Sequence, residues 1–386
     1  MAQSLKRQKI PTPPIPIGTM TGGAHPAAVR EARRFARGEI GVSRAARLVN
    51  EALAIRLAGE RLHAPVTLGG VITSGGSEAN ILAFWIMREI ARRQLQGADN
   101  LEVIIPQTKH YSVRRACNML DLTPVTVPVG PDHRVRLDAV EAAINKKTIG
   151  IVGTAGTTGL GVADDIRKLS EIALKHRIRL HVDAAHLGFA FPAMRLLGVR
   201  VPEFDFELPG VDSITADPHK MLFVPPPAGA FFVRNASDLG YIAPDVRYYP
   251  AASPTIAGTR PAGPIMATLT MLTEVKPEEH ATIVRKCMEA TQQLYEMLLG
   301  LQTLHPVCAP VCNVLGIRSD VWKDPEELKM QFERYGGLGV FPFEGDAEGV
   351  DGWVRIVMMP RLLRQRIRDL IKTALINLDE RGKKVL

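Results

Sequence analysis

The sequence predicts an α/β fold with a mostly parallel sheet covered by helices on both faces, and a smaller α+β unit towards the carboxyl end. Three observations carry this. From about residue 66 to 235, short β-branched runs alternate with helical stretches. Those runs are apolar almost throughout, as in strands buried on both faces, rather than apolar at every second position. Beyond about residue 270 the alternation gives way to long helical periodicity and then to a mixture of strands and helices.

In chain order, residues 1–60 read as an arm followed by helices. The arm is basic, then proline-rich at Pro11, Pro13, Pro14 and Pro16, which favours an extended path that must dock on something, such as a second subunit, to be stable. Helical periodicity covers Ala27–Arg37 and Val42–Gly59; in the second, Ala45, Leu48, Val49, Ala52 and Ile55 form an apolar stripe. Residues 61–270 form the expected large domain. Its strands are Gly70–Thr73, Leu101–Pro106, Val125–Val129, Thr148–Thr154, Ile178–Val182, Ser213–Thr215 and Ala230–Val233. Its helices lie near Ser77–Gln96, Ser112–Leu120, Leu137–Asn145 and Ile166–Lys175. Residues 241–265 read as an irregular loop carrying Tyr241, Tyr248 and Tyr249, of a length usually reserved for function or mobility. Residues 271–386 form the expected small domain. Ile265–Leu301 reads as one long helix or a broken pair, followed by strands Val314–Arg318 and Val354–Met358 and helices Pro325–Tyr335 and Arg361–Asp379.

Composition narrows the function classes. A hydrophobic share of 46% with 23% charged residues suits a soluble globular protein, and no run reaches the roughly 18 apolar residues that span a membrane. The first residues lack an apolar segment of secretory type, so a cytoplasmic protein with four reduced thiols is expected. Cys308 and Cys312 have no second ligand pair at zinc spacing, so no metal site is read. The net charge of +8 is spread along a chain with only 5% aromatics, which argues against nucleic acid as a partner and for a cationic pocket for small anions with solvated Arg-rich helix faces.

Three stretches carry chemistry. In Asp217-Pro218-His219-Lys220 one Lys lies between two apolar runs. There it is either a nucleophilic amine held among buried strands or a surface Lys on an Asp-Pro turn. Thr73-Ser74-Gly75-Gly76-Ser77-Glu78-Ala79-Asn80 closes a strand and opens a helix. It has the form of a phosphate cradle at a helix N-terminus, or of a simple capping box. His181-Val182-Asp183-Ala184-Ala185-His186 puts a carboxylate at the end of a buried strand, where it needs a partner; capping a following helix is the plainer reading, which Gly188 and Pro192 weaken. Together these features call for one ligand with a phosphate, a basic ring nitrogen and an aldehyde that condenses with a lysine. Pyridoxal 5′-phosphate (PLP) has all three. His110 could stack on its ring or be structural.

With Gly153-Thr154-Ala155-Gly156-Thr157-Thr158-Gly159 and His110-Tyr111-Ser112 added, the order and spacing of these motifs identify a resemblance. From about Met20 to Arg361 the chain resembles the group II PLP-dependent amino-acid decarboxylases, most closely the archaeal-type L-tyrosine/L-aspartate decarboxylases. The resemblance implies the PLP-dependent transferase fold of type I. It implies that Lys220 condenses with the aldehyde, Asp183 pairs with the ring nitrogen, and His110 stacks on the ring over the reacting carbon. Gly75, Gly76, Ser77 and His219 match phosphate contacts. Thr158 matches a polar contact near Asp183, and Ala185 the small residue on the opposite ring face. Gly258-Thr259-Arg260 resembles a loop that reaches the phosphate from a neighbouring subunit, so a homodimer is implied. Arg355 matches the arginine that holds the substrate carboxylate.

Two stretches depart from the pattern. The loop tyrosine that reprotonates the product normally follows Ala-Pro by a few residues. Here Ala243-Pro244 leads through Asp245-Val246-Arg247 to Tyr248 and Tyr249, so Tyr248 or Tyr249 is expected to serve. After Met359-Pro360, Arg361-Leu362-Leu363 replaces His-Val/Ile-x. The expected activity is decarboxylation of L-aspartate to β-alanine, a step towards coenzyme A, or of L-tyrosine to tyramine. A PLP-dependent carbon–carbon lyase or aldehyde-forming enzyme acting on a (phospho)amine is the second reading, and a non-catalytic, RNA-associated protein of the same fold the third.

Overall fold

The structure is a computed structural model that describes residues 14–39, 41, 43–94, 99–243, 254–344 and 352–385. It opens with β1 (Ile15–Pro16), α1 (Pro26–Ala36) and α2 (Arg44–Glu60). Strand and helix then alternate: β2 (Gly69–Thr73), α3 (Gly76–Gln94), β3 (Glu102–Pro106), α4 (Tyr111–Met119), β4 (Thr123–Val127), α5 (Leu137–Ala143) and β5 (Thr148–Thr154). The alternation continues with α6 (Ile166–His176), β6 (Arg179–Asp183), α7 (Ala190–Leu196), β7 (Val211–Ala216) and β8 (Gly229–Val233). The chain ends with α8 (Ala262–Thr273), α9 (Pro277–Leu298), β9 (Leu304–Pro306), β10 (Val314–Ser319), α10 (Pro325–Gly336), β11 (Leu338–Gly339), β12 (Phe341–Phe343), β13 (Trp353–Val357) and α11 (Gln365–Lys383).

Seven strands form the large sheet in the order β2-β8-β7-β6-β5-β3-β4. β8 pairs antiparallel with both neighbours, and the other pairings are parallel. Six strands therefore point the same way, so the segments following β2, β3, β5, β6 and β7 emerge along one edge, where ligands of such sheets bind. The continuous apolar runs follow from burial on both faces: every residue of β5 and β8 is buried. One core lies between the sheet and α1, α6 and α7, a second under α3 and α4. No described helix is long and apolar enough to cross a membrane.

The smaller unit is an antiparallel sheet, β12-β13-β10-β9, packed with α10 and α11. The described part of the N-terminal arm docks on this same chain: β1 pairs in parallel with β11, and Ile17 is fully buried in the core of the smaller unit.

Several expected elements shift. The Ile265–Leu301 stretch is a broken pair, because Pro277 forces Lys276 into an extended conformation (φ −59°, ψ 140°). The strand expected at Val125–Val129 runs two residues earlier, and Val129 makes only an isolated bridge to Val135. The helix expected from Arg361 begins at Gln365, after a 3-10 turn over Pro360–Leu363. α7 was not expected; Pro192 is its third residue, where a missing N–H costs nothing because first-turn amides have no partner within the helix. Asp183 lies seven residues before α7 and does not cap it.

Candidate active site

At the carboxyl edge of the large sheet a cavity of about 280 Å³ collects side chains from five loops. Gly75, Gly76, Ser77 and Asn80 follow β2, His110 follows β3, and Thr158 follows β5. Asp183, Ala185 and His186 come from the end of β6, and Asp217, His219 and Lys220 from the turn after β7. Met20, from the arm, completes the wall.

Each loop is shaped by close packing. A Cβ on Gly229 of β8 would lie 2.4 Å from the carbonyl carbon of Gly75, and one on Gly76 would lie 2.9 Å from Asp217 Oδ2 and 3.2 Å from Ala185 Cβ. Glycine is therefore required for the strand, cradle and Asp217 turn to approach one another. The cradle is closed by Glu78, whose Oε2 accepts from both Ser74 N and Ser74 Oγ at 2.8 Å. Ser74 thus donates to Glu78 rather than accepting from a helix amide, and Gly76 and Ser77 begin α3 at the cavity wall.

Asn80 joins the parts. Its Nδ2 donates to Asp183 Oδ2 and to Ser112 Oγ, each at 2.9 Å. Its Oδ1 accepts from Thr215 Oγ1 at 2.8 Å and from His181 Nε2 at 3.0 Å. Ser112 Oγ in turn lies 2.7 Å from His110 Nδ1, which also accepts from Ser112 N at 3.3 Å. With Nδ1 acting as acceptor, the proton of the neutral His110 ring sits on Nε2. Burial pulls the His110 pKa below its usual value, with the Lys220 charge adding to the effect and Asp183 opposing it. His181 is buried and held near pKa 4 by desolvation.

Asp183 is 5% exposed, its Oδ1 accepts from Ala185 N at 3.2 Å, and it takes part in no ion pair among the described residues. A buried carboxylate with hydrogen bonds but no cation needs a positive partner. The protonated ring nitrogen of PLP fits that need, the glycine cradle fits its phosphate, and the Lys220 amine fits its aldehyde. Lys220 Nζ lies 3.2 Å from Asp217 Oδ2, which also lies 3.6 Å from His219 Nε2. His219 Nδ1 accepts from Ala228 N at 3.2 Å, and burial lowers its pKa.

The structure brings together Lys220, Asp183, His110, Gly75, Gly76, Ser77, Thr158, Ala185 and His219. Two expected residues lie elsewhere. Arg355 is buried beside the cavity. Its Nε and Nη2 donate to Gly18 O at 3.0 and 2.7 Å, its Nη1 donates to Thr158 O, and Phe343 and Phe341 lie under its guanidinium. Desolvation brings its pKa down to about 10. Thr259 lines a separate, mostly apolar groove of about 430 Å³ that shares Ser74 and Ser77 with the cradle. Tyr248 and Tyr249 lie outside the described residues.

Sequence reasoning gave no role to Asn80, Asp217, His186 or Met20. His186 Nε2 donates to Asn313 Oδ1 at 2.8 Å, while Asn313 Nδ2 donates to Met358 O. This leaves His186 Nδ1 a buried acceptor without a partner among the described residues, on a ring that desolvation drives down to about pKa 3. Away from the cavity, His63, Asp205 and Glu207 converge, but Arg195 Nη1 donates to Asp205 at 2.6 Å and already supplies the cation.

The sheet order, the lysine turn after β7 and the carboxylate at the end of β6 define a PLP-dependent enzyme of fold type I. Comparison with solved structures agrees on the fold. A sphingosine-1-phosphate lyase from Burkholderia pseudomallei superposes with a TM-score of 0.83 over 94% of this chain and 84% of that one, at 23% identity. The pyridoxal-dependent decarboxylase conserved domain matches residues 51–250. Among curated proteins, the L-aspartate decarboxylase of Thermococcus kodakarensis is 38% identical over 307 residues, 78% of this chain and 76% of its own. The probable L-tyrosine/L-aspartate decarboxylase of Methanothermobacter thermautotrophicus is 34% identical over 360 residues, 92% of this chain and 95% of its own. The chain belongs to the pyridoxal-dependent decarboxylase family, and it is an amino-acid decarboxylase that works with PLP.

Proposed function

We propose that the substrate is L-aspartate and that the products are β-alanine and CO₂. The observation that carries this choice is the cavity wall. Apart from Met20 and Tyr111, the side chains around it are small or polar, with Thr154, Thr158, His110 and His186 among them, which suits a short, polar substrate. Similarity to L-aspartate decarboxylases points the same way.

When bound, PLP supplies an aldehyde for condensation with amines and a protonated ring that withdraws electrons. In this reading Lys220 holds the aldehyde, and Gly75, Gly76, Ser77 and His219 hold the phosphate. Asp183, kept in place by Asn80 and Ala185 N, holds the proton on the ring nitrogen. Ala185, His110 and Thr158 line the same cavity and would hold the ring. His110 carries its proton on Nε2 and presents a donor near the carboxylate that leaves. Arg355 has five N–H donors; three of them make the bonds to Gly18 and Thr158, which leaves two for the substrate carboxylate. Tyr248 or Tyr249 would supply the proton that the α-carbon takes up.

A homodimer belongs to the same reading. The groove beside the cradle is lined by Ile72, Ile81, Pro264 and Ile265, and Ile256 at its edge is 51% exposed. A second copy covering it would carry Thr259 towards the partner's phosphate cradle. A cytoplasmic setting fits the buried thiols of Cys117, Cys287 and Cys312.

The deciding experiment offers aspartate, tyrosine and glutamate separately to the PLP-loaded protein and quantifies CO₂ and amine. CO₂ matched by β-alanine is expected. CO₂ without matching amine would indicate aldehyde formation, and no CO₂ from any of the three would overturn the substrate assignment.

A further inference from the structure

Residues 16–25 form a strap between the two halves of the protein. At one end Val357 N donates to Ile17 O at 2.8 Å, and Gly18 O accepts from Arg355. At the other, His25 N donates at 2.8 Å to the carbonyl of Phe223, three residues past Lys220. Between these anchors Met20 forms part of the cavity wall. The strap therefore joins the Arg355 guanidinium to the Lys220 turn across the cavity.

One side chain outside the cavity lining grips this strap. Arg361 Nη2 donates to Pro16 O and to Thr19 Oγ1, and the Thr19 hydroxyl donates in turn to Thr21 O at 3.1 Å. Gly22 and Gly23 close over the same residue: a Cβ on Gly22 would lie 2.7 Å from Arg361 Nε, and one on Gly23 would lie 2.6 Å from Arg361 N. Both glycines have positive φ, +145° and +80°. The strap is thus moulded onto Arg361 over eight residues, from Pro16 to Gly23. Both bonds leave the single nitrogen Nη2, so the grip depends on where the long side chain places that nitrogen.

We propose that Arg361 is a positioning residue for the substrate end of the cavity, acting through the strap on Met20 and on the Gly18 carbonyl that orients Arg355. This rests on the reading of the cavity as the substrate site. Arg361 touches neither the cradle nor Lys220 nor Asp183, so its loss acts on substrate binding and leaves cofactor binding intact.

The test compares Arg361→Ala and Arg361→Lys with the wild-type holoprotein. Hydrogen exchange at the amides of Ile17, Gly18 and His25 is read first, since it does not depend on which amino acid is the substrate. The loss of two charge-assisted bonds should speed this exchange about tenfold or more in the alanine variant, with an intermediate effect for lysine. On the substrate that wild type decarboxylates, KM should rise about tenfold, with kcat within about threefold and the bound-PLP absorbance band unchanged. Unchanged strap exchange in both variants would overturn the proposal, as would accelerated exchange with an unchanged KM. Should the alanine variant fail to fold, wild-type exchange and KM in Arg361→Lys would overturn it equally. A wild-type protein that decarboxylates none of the three amino acids would refute the substrate assignment while the strap exchange still tests the latch.

Discussion

Asn80 Nδ2 sits 2.9 Å from Asp183 Oδ2, although 103 residues separate the two in the chain. The same amide receives the His181 ring and the Thr215 hydroxyl and donates to Ser112, so one side chain on α3 ties together the ends of β6 and β7 and the start of α4. Asn80→Ala would leave a buried carboxylate, a ring N–H and two hydroxyls without their partner. The expected cost is about 2–4 kcal/mol of stability, read as a lower denaturant midpoint with an unchanged m-value. In the surviving folded protein kcat should fall roughly tenfold or more, the weight of one charged hydrogen bond to Asp183. Wild-type kcat in this variant would show that Asp183 does not need Asn80.

Asp183 and Lys220 separate two kinds of loss. Lys220→Ala removes the amine while the buried run behind it, Met221–Val224, keeps the turn packed; turnover should vanish with melting behaviour retained. Asp183→Asn keeps the hydrogen-bonding shape but no longer holds a proton on the ring nitrogen. PLP should remain bound by absorbance, and the rate should fall about 10²–10³-fold, as when one preorganised electrostatic group is lost from a dry site. Wild-type turnover in Asp183→Asn would remove this residue from the assigned role.

The cradle depends on close backbone approach rather than on side chains. A Cβ at Gly229 would stand 2.4 Å from Gly75 C and 2.5 Å from Thr73 Oγ1, whereas one at Gly240 would meet nothing within 4 Å. Gly229→Ala should push β8 away from the cradle, raise the PLP dissociation constant about tenfold and destabilise the protein by about 1–3 kcal/mol. Gly240→Ala should do neither. Fluorescence titration of the apoprotein with PLP reads both variants on one scale.

What the sequence disclosed and what it hid divide along physical lines. The strands were legible because burial on both faces writes an unbroken apolar run, and β5, buried along its whole length, is the plainest case. Lys220, Asp183 and the glycine cradle were legible because each breaks such a run with a residue that is costly or unusual there. Asn80 stood inside a quoted motif, yet nothing local marked it as a hub. Its partners come from β6, β7 and α4, and only the order of the sheet brings them to α3. His186 likewise owes its state to Asn313, 127 residues away. The strap was read as an arm of unknown docking site because proline content reports extension but not the surface that receives it; β11 and Arg361 lie more than 300 residues further on.

Buried histidines set the acid limit of the fold. His181 and His280 are held near pKa 4 and His186 near 3, in each case chiefly by desolvation, against an ordinary value of 6.5. His280 Nε2 donates to Met221 O, just past Lys220, and His181 and His186 flank Asp183, so all three support the active-site edge. With the folded pKa depressed, the unfolded chain binds more protons than the native state between these values. Stability is therefore fully present above about pH 6.5 and is lost as pH falls towards 4. Denaturant unfolding of the holoprotein across pH 8 to 4 should show stability falling below about pH 6, the proton uptake of these histidines being partly offset by Asp164, whose buried carboxyl is raised to about 6. His181→Asn keeps a side chain that can donate to Asn80 Oδ1 but does not titrate. It should flatten that slope by about one proton while costing stability at neutral pH. An unchanged slope in this variant would mean that His181 is already protonated in the native state, with Nδ1 donating to Ser213 Oγ while Nε2 still donates to Asn80 Oδ1.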